Sequence, residues 1–406
     1  MATRVLGMGV NFGALAIVAR WAGQESLGIV IALNGAAFFG GVLCSLGIPT
    51  LLLKTITGLL LAGDVNAAAR HYQRGMRLTL ATGSTALVLL ALGALGQLGG
   101  FLPMTIGSMG PVELLALGVC SLGMAAQLVG LSTIRALKQP ALSGVFQFCT
   151  QPLLLLALLT VARGLFGRIS PIHAAVALSA SMILNAIAVH LVVQRRLPVR
   201  EVVILEPMPW SEARSLWLLG MLSSASSNIP LLLGAVLLDP AGIAALGVPF
   251  RICNLPMTVV SAMGAYYAPL IREAHLQKDY PRQKRELIES QWLGAALVLP
   301  VLIAGIVMPD FILGLFRIHD QTSSQLLLIF ACAQLVIAGC GVSEQYLAML
   351  GQSGRASMCM LVSLVAVVPA GFTLGHALGA LGIGLAWGAI SSVRQLVLRF
   401  YCNANP

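Results

Sequence analysis

The chain has 406 residues, of which 58% are hydrophobic and only 9% charged, with a formal net charge of +10. Soluble domains carry about 25% charged residues, so this chain lacks the polar surface that holds a protein of its size in water. A membrane β-barrel is excluded too: its strands alternate over about ten residues, whereas these apolar runs last the roughly 20 residues a helix needs to cross about 30 Å of hydrocarbon.

In chain order the expected spans are 1–22, 27–51, 78–98, 112–134, 141–162, 172–193, 215–238, 243–267, 290–309, 324–348, 356–376 and 379–400. The fold class is therefore all-α: a polytopic membrane protein of about twelve transmembrane helices in two pseudo-symmetric six-helix lobes. The expected lobes are 1–200 and 215–406. A linker at 201–214 joins them, marked by Pro207 and Pro209 and by the basic stretch and Pro198 just before it. The first span opens on a basic residue and then runs apolar, as a signal peptide does. It reads as a transmembrane helix instead, because Arg20 interrupts any cleavage region and many spans follow. Arg4 to Ala22 is only about 28 Å of helix, so the expectation is either a short first helix or a start further upstream.

The halves repeat one another. Gly28, Pro49, Lys54, Asp64 and Arg70 follow in the order of Gly242, Pro269, Arg272, Asp279 and Arg285. In each half a long second helix leads into a polar amphipathic stretch, Thr55 to Arg77 or Arg272 to Glu289, and then into a third helix. Six spans per half give the repeats one orientation, related by an axis along the membrane normal, which is a transporter plan. Basic residues set the sidedness. Lys54, Arg70, Arg74, Arg77, Arg135 and Lys138 fall on one set of connections, with Arg195, Arg196, Lys278, Arg282 and Arg285. The opposite connections hold only Arg20, Arg163, Arg168 and Arg317. Both termini are therefore expected in the cytoplasm. The net charge needs no nucleic acid to explain it; it follows from topology and attraction to anionic headgroups.

The eight cysteines form no CxxC pair and fall mostly inside apolar runs, so they read as small buried hydrophobes. No disulfide, metal or cofactor is expected, and no catalytic residue: the sequence has no Walker loop and no GxSxG elbow. His173, His190, His319 and His376 fall near span edges.

Charges inside spans are costly and usually face a cavity or a partner. Arg251 stands midway along the eighth span between Pro249 and Pro256, prolines that free backbone carbonyls beside the charge. Arg20 and Arg4 bracket the first span, and Asn254 and Asn11 add polar amides. These five are the candidate substrate-binding residues. Glu344 is the most deeply placed carboxylate and the ion-coupling candidate, able to exchange a proton or neutralise Arg251.

Three stretches carry a family likeness. Arg4-Val-Leu-Gly7, with Ala19-Arg20, Gly23 and Gly28, forms one. Ser45-Leu-Gly-Ile-Pro49 with Gly63-Asp64 forms a second, and Arg251 with Leu255-Pro256 a third. At these residues the chain resembles the polysaccharide-transport flippases of the multidrug, oligosaccharidyl-lipid and polysaccharide exporter (MOP) superfamily. The resemblance implies alternating access across a bacterial cytoplasmic (inner) membrane. The cargo would be a polyprenyl-pyrophosphate-linked oligosaccharide, an O-antigen or exopolysaccharide repeat unit, with Arg251 facing a central cavity. It implies as partners the lipid-linked oligosaccharide and membrane lipids, polysaccharide polymerase and glycosyltransferase neighbours, and a monomeric state. The peptidoglycan-precursor branch carries basic residues in the second span where this chain has Ala36, Ala37, Phe38 and Phe39, and it has two further helices. The alternatives are a multidrug and toxin extrusion (MATE) cation-coupled antiporter, a membrane polysaccharide polymerase or O-acyltransferase, and a non-transporting scaffold. The antiporter wants acidic residues in the first lobe, whose spans offer little beyond Glu113.

Overall fold

A computed structural model of the chain describes residues 2–100, 110–198, 210–350 and 352–404. Those residues contain helices and turns and no strand. The helices are α1 (Ala2–Ser45), α2 (Ile48–Leu61), α3 (Val65–Leu98), α4 (Pro111–Ala136), α5 (Pro140–Val145), α6 (Gln151–Phe166), α7 (Pro171–Arg196) and α8 (Trp210–Leu237). There follow α9 (Pro240–Leu276), α10 (Tyr280–Val307), α11 (Pro309–Gly314), α12 (Gln321–Gly339), α13 (Ser343–Met349), α14 (Ser353–Leu378) and α15 (Ala380–Ala404). A single π turn, Phe146–Thr150, joins α5 to α6.

Ten stretches of these helices are long and apolar enough to cross a membrane. Counting the two segments of α1 apart and adding the 37-residue α9 accounts for the twelve expected spans. Several spans differ from the sequence reading. The first two spans are one helix interrupted at Gly23, where φ 82° and ψ 175° are open only to glycine. The third and ninth spans start 13 and 10 residues early, because Asp64 and Asp279 cap α3 and α10 ahead of the apolar run. The fifth span contains the π turn, where the side-chain amide of Asn185 donates to the Phe146 carbonyl at 3.0 Å. The tenth span is broken between α12 and α13, with Gly341 at φ 64°.

The chain divides into two compact units, 2–228 and 229–406. The division falls inside α8, two residues before Pro230. Of the expected linker 201–214, residues 201–209 lie outside the described residues. Its end, from Trp210, is the first turn of α8, and α8 as far as Asn228 belongs to the first unit. There the Trp217 indole donates to the Leu43 carbonyl at 3.1 Å.

Each unit is organised around its fourth span. In the first, α4 packs on α1, α2, α3 and α7. Gly118 and Gly130 let it approach Leu87 of α3 and Val189 of α7 so closely that a Cβ would collide, and at Gly123 a Cβ would stand a tight 3.2 Å from Met182 of α7. In the second, α12 packs on α9, α10 and α15. Phe250 of α9, Phe330 of α12 and Trp387 of α15 form an edge-to-face trio there, with centroids 5.1 to 5.7 Å apart.

Candidate substrate site

Arg251 is half-buried on α9, which continues through both flanking prolines. Pro249 has no N–H for the Ala245 carbonyl four residues back. The Ser323 hydroxyl of α12 stands 3.2 Å from that carbonyl and 2.8 Å from Asp320, the residue that caps α12. One turn beyond Arg251, the Asn254 amide donates to the Phe250 carbonyl (2.9 Å) and accepts from buried Gln334 of α12 (2.7 Å). With the aromatic trio, these bonds fix the backbone around Arg251 against two neighbouring helices. Rigid support of this kind is what a side chain needs to present its charge in one direction.

Arg251 and Asn254 are thus placed together. Asn11 is half-buried and Arg20 exposed, both on α1 of the first unit. Beside Arg20, the Trp21 ring lies under the Arg163 guanidinium at 4.9 Å. The Arg4 side chain lies outside what the structure describes. Glu344 sits in the first turn of α13 with Arg394 and Gln395 of α15, at 3.7 and 3.1 Å. Its neighbours Tyr346 and Leu347 share a cluster with Tyr267 and Ile271 of α9. Tyr267 is 16 residues past Arg251, roughly 24 Å along the helix, so Glu344 meets an arginine other than the one expected.

Arg394 and Arg399, both on α15, were not singled out by sequence reasoning. Arg399 donates to the Gln291 side-chain carbonyl of α10 at about 3.0 Å once that amide is oriented toward it. Gln283 donates to the Tyr346 hydroxyl at 2.6 Å. The available signal was charge within the apolar run 380–402, the same test that selected Arg251.

Two cavities lie in the first unit. One of about 190 Å³ is lined mainly by Met76, Leu80, Leu122, Ile183 and Ile187, with His190 at its edge. The Tyr72 hydroxyl is 2.6 Å from that histidine. The other, of about 200 Å³, includes Ser45, Thr50, Ser132, Arg135 and Trp217. Among the described residues no cluster of three or more His, Cys, Asp or Glu side chains could hold a metal ion.

No protein-family model and no curated protein matches the chain in sequence. Solved structures do match in shape over nearly the whole length. An inward-facing multidrug resistance MATE family transporter of the MOP superfamily aligns with a TM-score of 0.77 at 15% identity, over 98% of this chain and 94% of that one. A MOP superfamily transporter from Pyrococcus furiosus, described as having a binding pocket of reverse polarity that suggests a different function, aligns at 0.66 and 15%, over 99% and 94%. An outward-facing MATE transporter aligns at 0.58 and 15%, over 99% and 93%. The chain is an all-helical, multi-pass membrane protein with the two-lobed, MATE-like fold of these solved structures.

Proposed function

We propose that the chain is an alternating-access transporter, not an enzyme, whose cargo carries negative charge: a polyprenyl-pyrophosphate-linked oligosaccharide moved across a bacterial cytoplasmic membrane. The reading rests on Arg251, a cation about a third of the way along α9 on a backbone braced by two neighbouring helices. A pyrophosphate in low dielectric is prohibitive unless paired, and a fixed guanidinium is the group that pairs with it best. Charge balance agrees: residues 2–198 hold only Glu25, Asp64 and Glu113 as acids, and Asp64 is a helix cap. Outward movement of each negative charge gains about 2.3 kcal/mol per 100 mV of membrane potential. Arg20, Arg4, Asn11 and Asn254 complete the proposed cargo-binding set, and both termini are placed in the cytoplasm on the strength of the basic connections.

A second reading, a MATE-type cation-coupled multidrug antiporter, is the one the similar structures favour, because those aligned here are mostly MATE transporters. One experiment separates the two. The purified chain in liposomes is offered a fluorescent lipid-linked oligosaccharide, and an efflux-deficient strain expressing it is challenged with cationic drugs. Translocation that Arg251→Glu abolishes, without loss of membrane insertion, supports the flippase. Drug resistance without lipid translocation replaces it with the antiporter.

A further inference from the structure

The broken tenth span holds charges that the cargo reading leaves unused. Backbone breaks at membrane depth are tolerated where protein buries them or where they line a cavity, and transporters build ion and substrate sites at such breaks. Here the break between α12 and α13 faces α10: a Cβ on Gly341 would meet Ser290 and Gln291. Around it stand Arg394 and Arg399 of α15 and Glu344 of α13, with Glu289, paired to Arg285, one residue before Ser290 on α10.

The Glu344–Arg394 pair is loosely made. At 3.7 Å it is well beyond the 2.7–2.9 Å of a tight charge-assisted bond. Glu344 is 30% exposed while Arg394 is 13% exposed, so the carboxylate is the partner free to leave. The Arg394 Nε is buried and has no hydrogen-bond acceptor among the described residues. The guanidinium thus has donors to spare in a place where spare donors are costly.

We infer that Glu344 is an exchangeable internal counter-ion: it occupies Arg394 when the transporter is empty and yields it to the cargo's phosphate or pyrophosphate group as that group passes the broken span, a station separate from Arg251. This rests on the anionic-cargo reading above. A carrier that binds an anion through buried arginines must return without it, and an uncompensated guanidinium would oppose that return. A carboxylate one helix away neutralises the arginine for the return and, through repulsion, leaves when a dianion arrives. No bond is made or broken; one ion pair replaces another.

The test uses the purified full-length chain in phosphatidylcholine nanodiscs, with farnesyl pyrophosphate and inorganic pyrophosphate as probes. Glu344→Gln, which keeps an acceptor for Gln395, is expected to bind farnesyl pyrophosphate about tenfold more tightly, and Arg394→Gln at least about tenfold more weakly. In the wild type, carbodiimide labelling of Glu344, read by peptide mass spectrometry, is expected to rise several-fold with saturating probe, which needs no variant to fold. Unchanged labelling, or unchanged affinity in a folded Glu344→Gln, overturns the exchange. Binding that Arg251→Gln abolishes while Arg394→Gln and Glu344→Gln leave it untouched overturns the exchange and spares the cargo reading. Failure of the wild type to bind either probe overturns both. Equal displacement by phosphatidylglycerol in the nanodisc assigns the site to bulk lipid phosphate and overturns its role in transport.

Discussion

Asp64 and Asp279 hold the same place in two equivalent turns. Their backbones agree within 2° (φ −89°, ψ 78° and φ −88°, ψ 76°). Each carboxylate accepts from the backbone N–H three residues on, at 2.8 and 3.1 Å. Each backbone N–H reaches back five residues, to Leu59 and Ala274, both at 2.9 Å. The residue before each aspartate is left-handed, but one is Gly63 at φ 79° and the other Lys278 at φ 58°. The two turns thus share the geometry, with glycine in the first half and lysine in the second. Lys278→Gly is expected to stabilise the chain by about 1 kcal/mol, and Gly63→Lys to destabilise it by a similar amount. Asp64→Ala and Asp279→Ala should each cost about 1 kcal/mol and add, since they lie in separate units. Thermal unfolding in detergent reads all four; a stabilising Gly63→Lys would show that the two turns are not equivalent.

Gly23 makes the opposite kind of demand. Nothing lies within 4 Å of where its Cβ would be, yet φ 82° with ψ 175° is a region other residues avoid. Gly23→Ala is therefore expected to cost about 1–3 kcal/mol from the backbone alone. Gly13→Ala in the same helix, also with open space around it and no positive φ, is expected to be neutral or to gain up to about 1 kcal/mol. Equal unfolding temperatures for the two variants would mean that α1 is not broken at Gly23.

The all-helical class and the transmembrane spans were legible in the sequence, because burial of apolar length acts residue by residue. Asp64 and Asp279 were legible as a matched pair, though not as caps that start α3 and α10 ahead of the apolar run. What escaped depends on contacts between distant segments. Arg394 and Arg399 vanish in an apolar run whose average stays high, and their importance comes from Glu344 and Gln291 on other helices. The break at Gly23 is one glycine among 43. Glu344 was expected either to exchange a proton or to neutralise Arg251; the arginine it meets is Arg394, which sequence spacing alone does not select.

Asn254 can carry two roles, since its amide keeps a second N–H and a second lone pair beyond its two helix bonds. As proposed it contacts cargo, while both ends of its amide also bond Phe250 and Gln334. A double-mutant cycle with Asn254→Ala and Gln334→Ala is expected to give a coupling of about 0.6–1.7 kcal/mol in unfolding, the range for side-chain bonds between membrane helices. The same cycle on cargo affinity separates the roles. If the amide only ties α9 to α12, either single variant weakens binding equally. If it also touches cargo, Asn254→Ala weakens binding beyond Gln334→Ala.

Gly341 ties the backbone of the broken span to its charges. At φ 64° it is already costly for any other residue, by about 1–2 kcal/mol. A Cβ there would stand 2.6 Å from the Ser290 hydroxyl, 2.8 Å from Cγ of Gln291 and 3.2 Å from its backbone nitrogen. The Ser290 rotamer can give, but the Gln291 backbone belongs to α10 and cannot. Gly341→Ala should therefore push α10 and α13 apart. It should drag the Gln291 side chain off Arg399, lowering the unfolding temperature and pyrophosphate binding together. Gly339→Ala, two residues earlier with nothing within 4 Å, is the matched control and should change neither. Measured on both variants, a drop in stability with unaltered probe affinity for Gly341→Ala would mean that the break is a packing feature, separate from the charges around it.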